Sequence, residues 1–489
     1  MNKSELIKKC IDNGILISPS LLDNLKTDNI NKLFLTGKFP ENLPLVINED
    51  SLLQPDKKKI AANNQLSVND SYEIISNYKE KTSRHTVKEF IYFYRRRYKA
   101  VLKLLKNHSE IQNLTSIYRI KKMNSNERVT LVGMIIKKSL SKNNNFFLEV
   151  EDQTADIKVI VSNRNKDAFS LTEDLSLDEV VGFCGNLSED KKVIFCDKIV
   201  LPDIPINNEL KKATKEEYAL FLGDIHIGSK AFMKKEFLTF LKWINGKIGS
   251  FEQKKMSEKI KYLFLVGDLV DGIGIYPGQD EDLYETDILK QYEELAAYLK
   301  KIPENINVFV CAGNHDAVRL PEPQPILDKD LAAPIYDLSN VTVVSNPAWI
   351  TIAKESGFPG IKVLLYHGFS FPYFADTIEN IRLNGGLERT DLIMQYLLQR
   401  RHLAPTHGST QYIPSYKQDP LLINTVPDIF ATGHVHRATI KNYKGITLLN
   451  CSCWMTQTEY QEKVGLKPQP ARVILTNLQT RQSKMIKFT

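Results

Sequence analysis

Five short motifs place Asp, His and Asn side chains directly after apolar segments. Each motif contains a glycine, which suits a tight turn at the end of a strand. In chain order they are Gly223-Asp224-Ile225-His226, Gly267-Asp268-Leu269-Val270-Asp271, Gly313-Asn314-His315-Asp316, Tyr366-His367-Gly368 and Gly433-His434-Val435-His436. A lone histidine is more often a hydrogen-bonded structural residue. The series of five motifs instead predicts a metal centre.

The residue types suit a centre that holds two divalent cations. Two such ions about 3.5 to 4 Å apart hold a phosphate between them and stabilise its attacking and leaving oxygens. A bridging carboxylate keeps the two positive charges together, and mixed His, Asp and Asn ligands suit Mn, Fe or Zn. The motifs therefore predict a hydrolase of phosphate esters.

This ligand set resembles that of the calcineurin-like metallophosphoesterases, a family that includes nucleases acting on DNA ends. The resemblance implies two groups of ligands joined by one carboxylate. They are Asp224, His226 and His436 for one metal, Asn314, His367 and His434 for the other, and Asp268 as the bridge. We expect manganese, with magnesium, iron or zinc as alternatives.

The same resemblance implies that His315 is the catalytic acid or a phosphate contact. The neighbouring Asp316 is expected to orient the His315 imidazole by a hydrogen bond. Double-strand-break nucleases of the family have D-x-x-H after the bridging aspartate, and so a second catalytic histidine. Asp271 stands at that position here. The chain is therefore not a close member of that nuclease branch.

The segments around the ligands carry a more specific resemblance. Residues 268–279, 313–325, 400–405 and 454–458 resemble the small subunits of archaeal family D DNA polymerases. The resemblance implies a 3′–5′ exonuclease that acts on the 3′ end of a DNA primer and proofreads for a separate large polymerising subunit. The chain is also expected to be a scaffold for that subunit. A non-catalytic scaffold is the alternative, which the intact ligand set disfavours.

Cationic and aromatic side chains near the motifs are candidates for DNA contact. The candidates are Arg319, Arg400, Arg401 and Lys417 for phosphates, and Tyr276, Tyr412 and Trp454 for stacking on unpaired bases. Each has a structural alternative, and Trp454 would equally bury the last strand. His402 and His407 are expected to be structural, because the ligand set is complete without them.

The motifs require a scaffold that brings strand ends together. Apolar strands alternate with loops and helices after Asp203, which predicts a layered α/β phosphoesterase domain over residues 204–489. Several short strands with turn residues between them predict an OB-type barrel over residues 115–203. The predicted fold class is α/β plus all-β, with the barrel followed by a calcineurin-like sandwich.

The N-terminal part is expected to be less regular. Residues 1–38 are predicted to form a small helical docking module, and the polar residues 39–84 a flexible linker. Thr86 and Glu89 form a capping box that opens an amphipathic basic helix within residues 85–114. Its predicted apolar stripe comprises Val87, Phe90, Ile91, Tyr94, Tyr98, Val101, Leu102 and Leu105, and its other face carries Arg95, Arg96, Arg97, Lys99, Lys103 and Lys106.

Positive charge is concentrated around this helix. The stretch from Arg95 to Lys122 contains nine Lys or Arg and one acidic residue, in a chain of net charge +7. Such a segment can attract DNA, although a solvated helix face is an equal alternative.

The role of the barrel is open between two interpretations, because its phenylalanines (Phe146, Phe147, Phe183 and Phe195) suit a core as well as base stacking. Protein docking or spacing is the favoured role of the barrel.

The composition is that of a globular protein, with 42% hydrophobic and 25% charged residues. No apolar run reaches membrane-spanning length, and the N-terminus lacks the apolar stretch of a signal peptide. We therefore expect no membrane partner and a cytoplasmic, nucleoid-associated location. The six scattered cysteines include no CxxC pair, so neither a disulfide framework nor a zinc ribbon is predicted.

The C-terminal residues allow two interpretations. Gln482, Met485 and Phe488 match a loose motif for binding a sliding clamp. The alternation of Lys484, Met485, Ile486 and Lys487 also predicts a terminal hairpin with residues 472–477, and the hairpin is favoured. No acidic signature of a polymerase palm is present, so DNA synthesis is assigned to another chain.

Overall fold

The computed structural model describes residues 16–17, 46–47, 71–78, 85–415, 419–463 and 465–489. The chain divides into two compact units, residues 1–68 and 69–489. In the first unit, Leu16–Ile17 (β1) and Val46–Ile47 (β2) pair in parallel. The rest of the predicted helical module, and Lys417, lie outside the described residues. Within those residues, no helix is long and apolar enough to cross a membrane.

A helix at Val87–Leu105 (α1) begins at the predicted capping box of Thr86 and Glu89. Its first half is buried against the C-terminal sandwich, where Phe93 joins the core outside one sheet. Its second half is buried against the barrel, and the Tyr98 hydroxyl donates to Val132 O at 2.9 Å. The helix therefore contacts both domains, on different sides along its length.

The predicted apolar stripe of α1 is wrong at its beginning. Val87 is 77% exposed and Ile91 is 45% exposed, whereas Phe93 and Arg97 are buried. Arg97 is buried because the Asp419 carboxylate lies 2.8 Å from its Nε. The buried face turns as the helix passes from one domain to the other, so a single stripe cannot describe it.

Five strands close into the predicted barrel in the order β4-β5-β6-β8-β7. The strands are Arg128–Leu140 (β4), Phe146–Glu151 (β5), Asp156–Val161 (β6), Val180–Leu187 (β7) and Val193–Val200 (β8). Two short helices accompany them, Ile117–Ile120 (α2) and Lys166–Glu173 (α3). The barrel is confirmed, and its alternating apolar residues fill the interior as the pattern predicted.

The four phenylalanines of the barrel divide between two roles. Phe146 and Phe183 are buried in the barrel core. Phe147 and Phe195 are exposed on its outer surface, 39% and 55% respectively. The core interpretation therefore holds for only two of them.

The C-terminal domain is a sandwich of two six-stranded sheets. Its strands are Tyr72–Asn77 (β3), Tyr218–Leu222 (β9), Ile260–Val266 (β10), Asn307–Cys311 (β11), Val341–Val344 (β12), Ala348–Ile352 (β13), Ile361–Leu365 (β14), Ile429–Thr432 (β15), Thr439–Tyr443 (β16), Ile446–Asn450 (β17), Arg472–Asn477 (β18) and Ser483–Lys487 (β19). One sheet has the order β12-β11-β10-β9-β18-β19, and the other β16-β17-β15-β14-β13-β3. The predicted α/β sandwich is confirmed.

Helices alternate with these strands, and several of them pack on the outer faces of the sheets. They are Lys234–Ile244 (α4), Phe251–Glu258 (α5), Ile288–Leu299 (α6), Ala333–Tyr336 (α7), Phe371–Thr377 (α8), Glu379–Leu383 (α9), Thr390–Arg400 (α10) and Glu459–Lys463 (α11). Phe221, Phe264 and Phe309 stack between the sheets, with ring centroids 4.8 and 5.1 Å apart. The central strands are buried on both faces, which explains their continuous apolar sequences.

Two terminal segments complete the sheets. Strand β3 pairs antiparallel with β13, so the predicted linker over residues 39–84 is wrong at residues 72–77. Strands β18 and β19 pair as the predicted terminal hairpin. Phe488 packs against Phe240 at 5.6 Å between ring centroids. The aromatic residue of the loose clamp motif is therefore part of the core.

Candidate metal centre

The polar motifs lie where parallel strands end. Strand β10 is parallel to β9 and β11, and β15 is parallel to β14 and β17. The loops that follow β9, β10, β11, β14 and β15 carry the five motifs. Because parallel strands end at the same edge of their sheet, these loops meet at one edge of the sandwich.

The first group contains Asp224, His226 and His436, whose ligand atoms all lie within 4.8 Å of one another. His226 Nε2 is 3.2 Å from His436 Nε2, and His436 Nε2 is 3.5 Å from Asp224 Oδ1. All three side chains are buried. This is the set that the family resemblance implied for one metal.

The second group contains Asp268, His367 and His434, again within 4.8 Å. Asn314 joins them, because its Oδ1 lies 3.1 Å from His367 Nε2. His367 Nδ1 donates to Val266 O at 2.9 Å, which leaves Nε2 for the group. The structure therefore brings together the residues that were predicted to bind the other metal.

Asp268 lies between the two groups. Its Oδ2 is 3.2 Å from His367 Nε2 in one group and 3.8 Å from His226 Nε2 in the other. Its Oδ1 accepts a hydrogen bond from the His315 amide at 2.8 Å, which fixes the carboxylate. One oxygen of Asp268 thus faces both groups, as a bridging ligand must.

Five of the candidate ligands have a strained backbone conformation. The residues with positive φ include Asp224 (51°), His226 (55°), Asp268 (47°), His434 (69°) and His436 (57°). This conformation costs a non-glycine residue about 1–2 kcal/mol, and it clusters at functional sites. At these turns the fold tolerates an unfavourable backbone conformation, which directs the side chains into the centre.

A glycine in the third motif permits the close packing of the loops. A Cβ on Gly313 would lie 2.2 Å from Asp268 Oδ1. Any larger residue would displace the bridging carboxylate or the Asn314 loop. The glycine is thus required by the close approach of the two loops.

The predicted hydrogen bond from Asp316 to the His315 imidazole is wrong. The Asp316 carboxylate accepts instead from Gly313 N at 2.8 Å and from Leu269 N at 3.3 Å. Burial and the nearby Asp268 raise the pKa of Asp316 to about 7. Asp316 therefore joins the loops that carry Asp268 and Asn314, and it does not orient a catalytic histidine.

Asp271 takes the orienting position instead. Its peptide oxygen accepts from His315 Nδ1 at 2.9 Å, and its Oδ1 lies 2.8 Å from His226 Nδ1. Both contacts occupy Nδ1 and leave the Nε2 atoms of His315 and His226 for other partners. The motif spacing D-x-x-D was noticed in the sequence, but its contact with both histidines was not predicted.

The charges of the second group are strongly coupled. Burial, and then the charge of His367, lowers the pKa of His434 to about 3. Burial opposes protonation of His367, yet the Asp268 carboxylate raises the pKa of His367 to about 9. Burial would raise the pKa of Asp268, but His367 holds it well below its ordinary value. His367 therefore carries the proton and Asp268 the negative charge, and a cation that binds His367 would displace that proton.

The donor set fits divalent cations. Among the described residues, His434 Nδ1 is buried without a hydrogen-bond partner, which is costly for a polar atom unless a ligand binds it. Imidazole, carboxylate and amide donors together match the preferences of manganese, iron and zinc. These residues are therefore suited to hold divalent metal ions.

Two of the predicted phosphate contacts are wrong. Arg400 Nε lies 3.3 Å from Glu179 Oε2 of the barrel, and its guanidinium covers the Tyr396 ring at 3.6 Å. Arg401 donates from Nε to Ile423 O at 2.8 Å. Both cations are buried, so they stabilise the fold and cannot contact DNA.

Two of the predicted stacking residues are also wrong. Tyr412 is buried and its hydroxyl donates to Thr406 O at 2.8 Å. Trp454 is fully buried, with its ring centroid 4.9 Å from that of Phe237 and 6.1 Å from that of Phe488. The alternative, that Trp454 buries the last strand, is confirmed.

Lys417 lies outside the described residues, and the other two candidates are accessible. Tyr276 is 40% exposed. Arg319 is partly exposed, donates to Pro323 O at 2.8 Å and lies 5.1 Å from the ring of Tyr78. Their contact with DNA stays a prediction.

Gln461 is a neighbour of the centre that sequence reasoning missed. Its side-chain amide lies 2.8 Å from His436 Nδ1, so it fixes the ring whose Nε2 faces the first group. Nothing in the local sequence signals this contact, since 25 residues separate the two positions.

Replacing Gln461 with alanine is expected to weaken Mn²⁺ binding about tenfold, the lower end for loss of such an orienting partner. Isothermal titration calorimetry of the full chain measures the affinity. Gln457→Ala is the matched control, because Gln457 lies in the same segment and donates to Leu466 O at 2.8 Å. Equal affinities of the two variants would show that Gln461 does not position His436.

Comparisons with known proteins agree with this geometry. Residues 219–438 match the calcineurin-like phosphoesterase family, and residues 129–202 match the OB-fold nucleic acid binding domain. The chain is 35% identical over 488 residues to the DNA polymerase II small subunit of Thermoplasma acidophilum, covering 98% of this chain and 92% of that protein. It is 34% identical over 407 residues to the DNA polymerase II small subunit of Methanothermobacter thermautotrophicus, covering 83% of this chain and 81% of that protein.

A longer relative is covered less fully. The chain is 35% identical over 399 residues to the DNA polymerase II small subunit of Methanocaldococcus jannaschii, covering 82% of this chain and 65% of that protein. The resemblance to polymerase small subunits that the sequence suggested is confirmed. The chain belongs to the family of archaeal DNA polymerase II small subunits.

Proposed function

We propose that this chain is a metal-dependent 3′–5′ exonuclease that proofreads DNA for a large polymerising subunit. The observation that carries the proposal is the position of Asp268, whose Oδ2 faces His367 at 3.2 Å and His226 at 3.8 Å. A carboxylate shared between two ligand groups is what a pair of cations requires. Family membership supports a DNA substrate and a role in replication.

The proposed partners are a primer 3′ end and a large polymerase subunit. The described residues include a complete set of candidate ligands, so the chain is proposed to be an active subunit as well as a scaffold. Manganese is the proposed metal, and iron or zinc would suit the same mixture of imidazole and carboxylate donors. Arg319 is the proposed contact for a primer phosphate.

Each of the candidate residues has a separate proposed role. Asp224, His226 and His436 would hold one cation, Asn314, His367 and His434 the other, and Asp268 both. Bound cations supply the positive charge that stabilises the attacking and leaving oxygens of a phosphodiester. His315 is 19% exposed at its side chain, so substrate can reach it. When both ring nitrogens carry a proton, Nδ1 donates to Asp271 O and Nε2 can give its proton to the leaving 3′ oxygen.

His315→Ala tests the proposal directly. Purified full chain is incubated with Mn²⁺ and a mismatched primer labelled at its 3′ end, and release of the labelled nucleotide is followed. We expect the variant to be about a hundredfold slower, since general acid catalysis contributes at least about this factor.

His407→Ala is the matched control, because His407 is exposed and outside both ligand groups. It should retain the wild-type rate. An inactive wild type would favour the non-catalytic scaffold. Equal rates of the wild type and His315→Ala would remove His315 from the mechanism.

A further inference from the structure

An exposed apolar turn borders the metal centre. It comprises residues 273–278, which follow Asp271 and precede helix α6, and we call it the apolar tip. Ile273 is 46% exposed, Ile275 39% and Tyr276 40%. Burying these side chains under a partner would remove apolar surface from water.

The apolar tip is held by buried glutamines. Gln279 is 1% exposed, accepts from Ile275 N at 2.9 Å and donates to Asp271 O at 2.9 Å. Gln291 is fully buried and accepts from Gly272 N at 3.0 Å. The tip is therefore fixed to Asp271, the residue that contacts His226 and His315.

The tip begins beside the loop that carries His315. Gly272, the residue directly before the tip, has φ of 73°, and a Cβ there would lie 2.2 Å from His315 O. The backbone that leads into the tip thus packs on the peptide of His315, the proposed catalytic residue.

The charges around the tip indicate which part of a nucleotide it can contact. Residues 273–278 carry no charge, and the next exposed residues are acidic: Asp280, Glu281 and Asp282. Asp282 accepts a hydrogen bond from the Tyr276 hydroxyl at 2.9 Å, which orients the ring. A phosphate would be repelled here, whereas the uncharged face of a nucleobase would not.

We propose that the apolar tip is the platform on which the unpaired base of the 3′-terminal nucleotide rests during hydrolysis. The proposal depends on the exonuclease function proposed above and names the part of the substrate that gives selectivity for frayed ends. A paired base stays in the duplex stack and cannot reach the platform without an unpairing cost. The tip therefore favours mismatched over matched ends.

The test removes the platform from the protein by substitution, and the terminal base from the primer by using an abasic nucleotide. The Ile273→Ser/Tyr276→Ser double variant and the wild type, both as full chains with Mn²⁺, are given two primers with an unpaired 3′-terminal nucleotide. One terminal nucleotide carries a base, and the other is abasic. Stacking on an aromatic side chain is worth enough to change the rate about tenfold. The ratio of kcat/KM for the two primers should therefore fall about tenfold in the double variant.

Tyr284→Ser is the matched control, since Tyr284 is a 45% exposed aromatic residue farther along the same segment. It should keep the wild-type ratio. An unchanged ratio in the double variant, or an equal loss on both primers, would overturn the platform while leaving the exonuclease intact. Failure of the wild type to hydrolyse either primer would instead overturn the exonuclease, and the platform with it.

Discussion

Asp268→Asn is expected to slow release of the 3′-terminal nucleotide about a thousandfold or more. Bound cations contribute several kcal/mol to the transition state of phosphoryl transfer, and each 1.4 kcal/mol is about a factor of ten. Asparagine keeps the size of Asp268 but removes the charge that both ligand groups share. The Asn oxygen can still accept from His315 N, which now binds Asp268 Oδ1 at 2.8 Å. The fold should therefore persist.

Two measurements separate loss of the cations from loss of structure. Steady-state exonuclease assays give the rate, and titration calorimetry with Mn²⁺ should show weaker binding. Asp428→Asn is the control, because this buried aspartate precedes β15 and accepts from Lys362 N at 2.8 Å. It lies at the start of the strand whose far end carries His434. Activity of Asp268→Asn within tenfold of wild type would contradict the bridging role.

The sequence predicted the strands and the meeting of the motifs well, for a simple physical reason. Central strands such as Tyr218–Leu222 are buried on both faces, so their sequences are continuously apolar and end sharply at polar loops. The barrel strands are buried on one side, so they alternate. Both signals are local, and parallel order then brings the loops to one edge.

Contacts between distant segments were not predictable in this way. Arg400 and Arg401 were predicted to contact phosphates because they are cations at a helix end near the motifs. Their partners, Glu179 and Ile423, are far away along the chain. Trp454 carries no local sign that Phe237 will cover it. Local patterns thus identify charge and size but not burial.

In the metal centre, too, local patterns predicted some residues and not others. Its candidate ligands were identified because each follows a strand, whereas the residues that orient them were assigned wrongly or missed. Asp316 was chosen by adjacency to His315, but the turn directs its carboxylate to Gly313 N and Leu269 N. Asp271 is forty-four residues from His315 and yet holds it. Orientation depends on loop geometry that the sequence encodes only through the whole fold.

The buried pair of Arg97 and Asp419 is expected to be essential for joining helix α1 to the sandwich. Arg97 Nε lies 2.8 Å from Asp419 Oδ2, and both side chains are almost completely buried. The guanidinium also donates to Pro405 O at 2.9 Å and lies 5.0 Å from the Tyr412 ring. His402 Nε2 lies 2.9 Å from Asp419 Oδ2, so the carboxylate serves two partners. Removing its charge leaves a buried cation without compensation.

Asp419→Asn should therefore lower the free energy of unfolding by about 3 kcal/mol, the lower end for breaking a buried ion pair. Although burial opposes its ionisation, His402 and Arg97 hold the pKa of Asp419 far below its ordinary value. The stabilisation is thus fully present at neutral pH and is lost as the pH falls below the ordinary carboxyl pKa. Urea unfolding at pH 7, followed by tryptophan fluorescence, measures the change.

An exposed pair of the same kind provides the comparison. Arg128 and Asp197 form a bidentate contact on the barrel surface, with Nη1 to Oδ2 at 2.5 Å and Nη2 to Oδ1 at 3.0 Å. Their side chains are 59% and 44% exposed, so water screens the attraction and Asp197→Asn should cost less than about 1 kcal/mol. Similar losses in the two variants would mean that burial does not make the Arg97 pair special. Helix α1 would then be held to the sandwich by apolar contacts such as that of Phe93 alone.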